Sequence, residues 1–206
     1  MNPISELIEL FSKFPGIGPR QAKRFVYFLL SKDPQYRNEL SEALARLNEE
    51  IVQCASCFRY FQKKAQEETL CSLCQDKERS KEQLLIVEKD VDFENMHKAG
   101  IWNGFYFILG GVIPLLEKEP AKKIRARELF HIIQERAKND GLREVVLAMN
   151  ANHEGENTAI YLLKILEPLV EKYSLSITSL GRGLSTGTEL EYSDKETLKD
   201  ALSSRR

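Results

Sequence analysis

No uninterrupted apolar run in the 206-residue chain approaches the roughly 18 residues that a membrane-spanning helix needs. The opening residues, MNPISELIEL, have neither the basic start nor the apolar core of a secretory leader. These two absences predict a cytoplasmic protein with no membrane association. Net charge is nearly absent as well: 30 Lys and Arg stand against 31 Asp and Glu, leaving −1. Such a chain is not a strongly basic nucleic-acid glue, and contact with an anionic polymer has to come from local patches. Internal repeats, low-complexity tracts and a Walker A nucleotide loop are also missing. What remains is a globular composition, 42% hydrophobic and 30% charged. The length suits one or two domains and buries roughly 70% of the unfolded surface.

Cysteine is scarce, and all of it lies in one place. Cys54 and Cys57 form one C-x-x-C pair, Cys71 and Cys74 a second, with thirteen residues between the pairs. Two residues between ligands let a tight turn bring both thiolates to one metal near 2.3 Å, and two such knuckles complete a tetrahedron. The alternatives are a pair of redox dithiols or two disulfides in an exported protein. A redox motif needs only one such pair, and disulfides suit an oxidising compartment that the opening residues do not support. Zinc is the expected metal. Four thiolates leave no open coordination position, so its role is structural, and its binding supplies folding free energy to a segment with few apolar residues. His97, His131 and His153 lie far along the chain and are not needed as ligands.

Before the cysteines the pattern is helical. Asn2 caps, Pro3 suits the first helical position, and Ile4, Leu7, Ile8 and Phe11 recur with helical period. Pro15-Gly16-Ile17-Gly18-Pro19 then breaks the helix. A second helix carries Ala22, Phe25, Val26 and Leu29 on one face, and a third, after Asp33-Pro34, turns Leu40, Leu44, Leu47 and Ile51 inward. After the cysteines, strands and helices alternate. Strands are expected at Leu84–Val87, Phe105–Leu109, Val145–Ala148 and Ser176–Thr178. One helix places Leu129, Ile132 and Ile133 inward and closes near Gly141. Another, from Thr158 to Lys172, is amphipathic through Ile160, Leu163, Leu166, Leu169 and Val170. Short apolar strands alternating with helices predict an α/β fold with a mostly parallel sheet covered on both faces. A last helix opens with Ser193-x-x-Glu196, a capping box.

The break at Gly16 has the arrangement of a helix-hairpin-helix. Gly16 and Gly18 let the backbone turn sharply. The turn aims N–H groups outward where the dipole of the second helix also favours an anion. A phosphate suits that geometry, and the contact ignores base identity. Residues 13–37 hold six basic side chains (Lys13, Arg20, Lys23, Arg24, Lys32, Arg37) against one acid, Asp33. Arg20, Lys23 and Arg24 share a face. The bland reading is an ordinary helix turn beside a solvated basic face, in a protein-interaction adaptor. In the α/β part of the chain, Glu88 and Asp92 follow the first strand, and Asn150-Ala151-Asn152-His153-Glu154 follows the third. In an open parallel sheet, ligands gather beyond the carboxyl ends of strands, so Glu88 and Glu154 are expected at one edge; solvated strand tips explain them equally well. Trp102, Phe105, Tyr106 and Phe107 read as core or subunit contact. Gly110-Gly111 permits a bend, and Gly181, Gly183 and Gly187 lack a phosphate-loop fingerprint.

FPGIGPRQAKR, CASC…CSLC, LLIVEKDVD, LAMNANHEGENTAIYL and GRGLSTGTELEYSDKETLKDALSSR, in this order, resemble the bacterial recombination-mediator family RecR over essentially the whole chain. The resemblance implies a helix-hairpin-helix domain (1–53), a zinc-binding module (54–79), a Toprim-type α/β domain (80–180) and a C-terminal segment and helix (181–206). It also implies a non-enzymatic DNA clamp, a homo-oligomer from dimer to ring-shaped tetramer, acting in recombinational repair near the nucleoid. Such a clamp binds single- and double-stranded DNA without sequence preference. It works with RecO- and RecF-type partners to load recombinase onto single-stranded DNA. DNA contact then falls to Gly16, Gly18, Arg20, Lys23 and Arg24, and partner contact to Glu88 and Asp92. Toprim enzymes such as topoisomerases and primases look similar, but hold magnesium with a Glu and an Asp-x-Asp. Here the degenerate site is Glu88, Asn150, Asn152 and Glu154. Magnesium prefers charged oxygen, so two Asn in place of two Asp weaken the magnesium-dependent alternative (nuclease, primase or topoisomerase-like), which would rest on Glu88 and Glu154. No residue is assigned a catalytic role.

Overall fold

The structure is a computed structural model that describes residues 2–181, 183–184, 187, 189–193 and 195–203. The chain divides into two compact units, residues 1–51 and 52–206.

The first unit holds three helices, α1 (Pro3–Ser12), α2 (Pro19–Ser31) and α3 (Pro34–Glu50). Each starts with proline at its first position, where the missing N–H costs nothing. Asn2 Oδ1 accepts the N–H of Ile4 at 3.0 Å, and Asp33 Oδ1 that of Tyr36 at 2.8 Å, satisfying donors the helices cannot. α1 packs on α2 through Phe11, whose ring meets Phe25 edge-on at 6.1 Å, and Ala22 and Val26 of α2 are fully buried. α3 departs from expectation. Leu40 is half-buried, but Leu44 and Leu47 are 57% and 55% exposed rather than inward. In a unit this small, one buried face on α2 consumes the available core. α3 instead meets the carboxyl end of α2 through the Arg37 guanidinium, which donates to the Leu29 and Lys32 carbonyls.

The second unit opens with the hairpin β1 (Ile51–Gln53) and β2 (Tyr60–Gln62) and the short helix α4 (Ser72–Gln75). It continues through β3 (Ser80–Val87), α5 (Asp90–Ala99), β4 (Gly104–Ile108), α6 (Ala126–Asn139), β5 (Glu144–Ala148), α7 (His153–Tyr173), β6 (Ser176–Ser179) and α8 (Lys195–Ser203). Four strands form a parallel sheet in the order β4-β3-β5-β6. Alternation of side chains sorts two cores. Leu84, Ile86, Phe105, Phe107, Val145 and Leu147 face α6 and α7, while Leu85, Val87, Tyr106, Ile108 and Val146 pack with Phe93 of α5. The aromatics Phe105, Tyr106 and Phe107 are therefore core. Val87 lies beside Ile108 on one side and Ala148 on the other, so the tips of three strands end level.

Two helices correct the sequence reading. α7 buries Thr158, Leu162, Leu166 and Leu169, while Ile160 and Leu163 are 67% and 45% exposed. The helix starts earlier, at His153 after the Asn152 cap, and its docked stripe runs from Gly155 through Leu162 instead of the neighbouring Leu163. α5 has no apolar period, only Phe93 buried, and hydrophobicity alone does not reveal it. The Ser193–Glu196 capping box involves a side chain, Glu196, that lies outside the described residues.

Candidate nucleic-acid interface and metal centre

The hairpin between α1 and α2 is built around one backbone constraint. Gly16 has φ +75°, and the Ile17 N–H donates to the Phe14 carbonyl at 3.0 Å. With Pro15 and Gly16 in the centre this is a type II turn, which needs positive φ at its third residue. Gly18 caps α2 without any side-chain acceptor. The N–H groups of Gly16, Gly18 and Arg20 find no partner among the described residues, and the space a Cβ would fill at both glycines is open. The turn thus leaves three unpaired N–H groups beside the start of α2, the positive end of its dipole.

Arg20, Lys23 and Arg24 are exposed. With Tyr27, Phe28 and Ser31 they line an open groove of about 660 Å³, and no acid lines it. Not all six basic residues of this stretch join them. Lys13 pairs with Glu9 at 3.7 Å, and Arg37 is committed to the end of α2. Tyr27 and Phe28 are groove residues that hydrophobic patterning overlooks, and their signal was spacing: they stand three and four residues after Arg24.

In the second unit the four cysteine Sγ atoms lie within 4.8 Å of one another, three of them buried. Cys57 and Cys71 Sγ are 3.6 Å apart, far beyond a disulfide bond and close to the ~3.8 Å edge of a tetrahedron with 2.3 Å metal–sulfur bonds. Among the described residues no other group of three His, Cys, Asp or Glu could hold a metal ion. Crowding divides the thiols. Cys54 is held far below the usual thiol value, first by its hydrogen bond with Cys57, while Cys57 and Cys74 are pushed up, each first by hydrogen bonding with Cys54. A divalent cation removes that conflict by deprotonating its ligands outright. The donor set and spacing thus fit a closed, structural metal site. The knuckle also completes the sheet: the Ile108 N–H donates to the Cys57 carbonyl at 2.8 Å, occupying the outer edge of β4. Phe58, at φ +63°, turns its ring onto Phe107 at 5.3 Å.

The strand tips are organised differently from an acidic metal site. Glu88 is only 2% exposed. Its Oε1 accepts the Asn150 backbone N–H and its Oε2 the Asn150 side-chain amide, each at 2.6 Å. Asn152 Oδ1 accepts the Gly155 N–H at 2.8 Å, capping α7. A Cβ on Gly155 would collide with the Asn150 carbonyl and stand 3.1 Å from Glu88 Oε1, so only glycine closes this turn. Glu154 is exposed, and Asp92, half-buried, accepts the Lys89 N–H at 3.0 Å at the start of α5. Glu88, expected as a partner contact, is withdrawn from the surface because Asn150 folds over it. Of the two expected partner residues, Asp92 alone keeps some solvent access.

Comparison with known proteins follows the same divisions. A model described as RecR, helix-hairpin-helix matches residues 4–47, a Toprim domain model residues 82–180, and RecR, C-terminal residues 183–206. The Recombination protein RecR of Chloroflexus aurantiacus is 35% identical over 204 residues, covering 99% of this chain and 94% of that protein. That of Dehalococcoides mccartyi is 34% identical over 204 residues (98% and 93%), and that of Staphylococcus aureus 35% over 203 (98% and 96%). No helix among the described residues is long and apolar enough to cross a membrane.

Proposed function

The chain belongs to the RecR family of recombination proteins, and on that premise we propose that it serves recombinational DNA repair as a DNA-binding mediator that performs no catalysis. The observation that carries this reading is the open cup of Gly16, Gly18 and Arg20 N–H groups, framed by Arg20, Lys23 and Arg24 with no acid beside them. Those groups grip sugar-phosphate, so binding is independent of sequence. The patch is small, and affinity per subunit is modest and steeply salt-dependent. Assembly multiplies it. Exposed Leu44 and Leu47, with Leu10 and Phe14 at about half exposure, support subunit contacts that build a dimer or ring-shaped clamp. Zinc on Cys54, Cys57, Cys71 and Cys74 holds the knuckle. RecO- and RecF-type partners dock near Asp92, and together they deliver recombinase to single-stranded DNA. The commitment of both Glu88 oxygens to Asn150 supports a scaffold over a magnesium-dependent enzyme.

The test is a titration of salt against affinity. Arg20→Ala with Arg24→Ala is expected to weaken binding to all sequences alike and to flatten the log–log salt slope by about two. An unchanged affinity and slope would place the DNA site elsewhere, and a solution mass of one chain with and without gapped duplex would remove the clamp.

A further inference from the structure

The groove on α2 holds more than a phosphate site requires. Arg20, Arg24, Tyr27 and Ser31 follow at i, i+4, i+7 and i+11, one stripe of a helix, with Lys23 and Phe28 flanking it. Tyr27 is 52% exposed and Phe28 49%, on the side opposite the buried Ala22 and Val26. Aromatic rings left open in a cation-lined groove are costly to hydrate and do nothing for phosphate. Each is instead touched only lightly: the Lys23 ammonium lies 5.9 Å from the Tyr27 centroid and that of Lys32 4.9 Å from Phe28, while Tyr36 meets Phe28 edge-on at 6.3 Å. Exposed cation–π contacts of this kind are weak and yield to a better partner.

Resting on the DNA-binding reading above, we propose that Tyr27, walled by Phe28, is a stacking platform for an unpaired nucleobase, so that this face prefers single-stranded to duplex DNA. The seven residues from Arg20 to Tyr27 advance about 10 Å along the helix, a span that an unpaired strand covers within a few nucleotides. A strand whose phosphate sits in the cup therefore brings a base over the ring a few nucleotides on. In a duplex the base faces are covered by their neighbours; an unpaired base offers its π-face freely, which is why stacking platforms select single strands without reading sequence. The Lys23 ammonium, displaced from the ring, remains beside the backbone it neutralises. A protein partner is the poorer occupant. A second copy meeting this face with its own would set like charges against like.

The test uses the full-length protein, its metal retained, with fluorescein-labelled oligothymidylate, the same length of abasic oligonucleotide, and a duplex of that length, compared over one common series of salt concentrations. Tyr27→Leu is expected to weaken oligothymidylate binding about 5- to 100-fold, leaving abasic and duplex binding and the salt slope as they were. Tyr27→Trp is expected to restore the loss. Equal weakening of all three ligands, or no weakening of any, overturns the platform. If Arg20→Ala with Arg24→Ala still lowers binding in that case, the phosphate reading survives it; if neither set of variants matters, the DNA site itself is wrong. A Tyr27→Leu protein that changes its solution mass but not its oligothymidylate affinity would make the groove a protein contact, and this too overturns the proposal.

Discussion

Asn150→Asp isolates what the strand tip does. The wild-type amide, on an exposed residue, donates at 2.6 Å to Oε2 of the buried Glu88. The substitution keeps the shape, removes the donor and sets a second carboxylate against the first. Two charges about 4 Å apart at an effective dielectric of 20 repel by about 4 kcal/mol. The pair escapes by binding one proton, and protonating a carboxyl of ordinary pKa (about 4.3) costs about 4 kcal/mol at pH 7.5 but about 1 kcal/mol at pH 5. Both routes put the loss near 4 kcal/mol at pH 7.5, a large share of the usual 5–15 kcal/mol of a folded domain. The sign follows from proton uptake: the folded variant binds a proton more tightly than the unfolded chain, so its stability recovers as pH falls and is lost as pH rises. Trp102 is the single tryptophan and packs against the Val87 and Tyr106 face of the sheet, so its fluorescence during urea unfolding reports this unit. The expected result is a deficit relative to wild type about 3 kcal/mol larger at pH 7.5 than at pH 5. A deficit that does not change with pH would mean that Asn150 does not hold Glu88 in solution. Magnesium relieving the deficit at pH 7.5 would show that the Asn alone closes this strand tip to a cation.

Removing the metal with a chelator is expected to expose four reactive thiols and to loosen the β4 edge, since the Ile108 N–H depends on the Cys57 carbonyl; elemental analysis is expected to find one zinc per chain before treatment. Metal affinity falls with pH because protons compete for the thiolates, and thiols that titrate fully with the metal still bound would refute the site. At the hairpin, Gly16→Ala is expected to cost about 1–2 kcal/mol because φ is +75°. Gly16→Asn is expected to cost clearly less, since Asn tolerates the left-handed region. Equal losses, measured by thermal unfolding followed by circular dichroism, would mean that the turn is not the type II turn described.

Much of the architecture was legible because its signals are local. Pro15-Gly16 specifies a turn through two φ values, paired C-x-x-C spacing specifies a tetrahedron, and short β-branched runs between helical periods specify a parallel sheet. Where several stripes compete, local signals fail. On α7, Ile160 and Leu163 are as apolar as Leu162 and Leu166, and only docking on the sheet selects between them. On α3, Leu44 and Leu47 follow the period of a buried face, yet their own unit offers nothing to cover them. α5 is written in capping acids and a single buried Phe93, a pattern that hydrophobicity does not register.

The candidate sites divide the same way. The chain's residue order alone determined the cysteine ligand set, the glycine cup and the three cations, because each arises within one turn or one helix. The fate of Glu88 was decided by tertiary structure: Asn150 lies 62 residues away, and the level ends of β3 and β5 bring its backbone N–H onto one carboxylate oxygen and its side-chain amide onto the other. A carboxylate that reads as a surface ligand thus becomes a buried tie between two strand tips. Hydrogen bonds across that distance depend on the register of a folded sheet, which residue spacing along the chain does not encode.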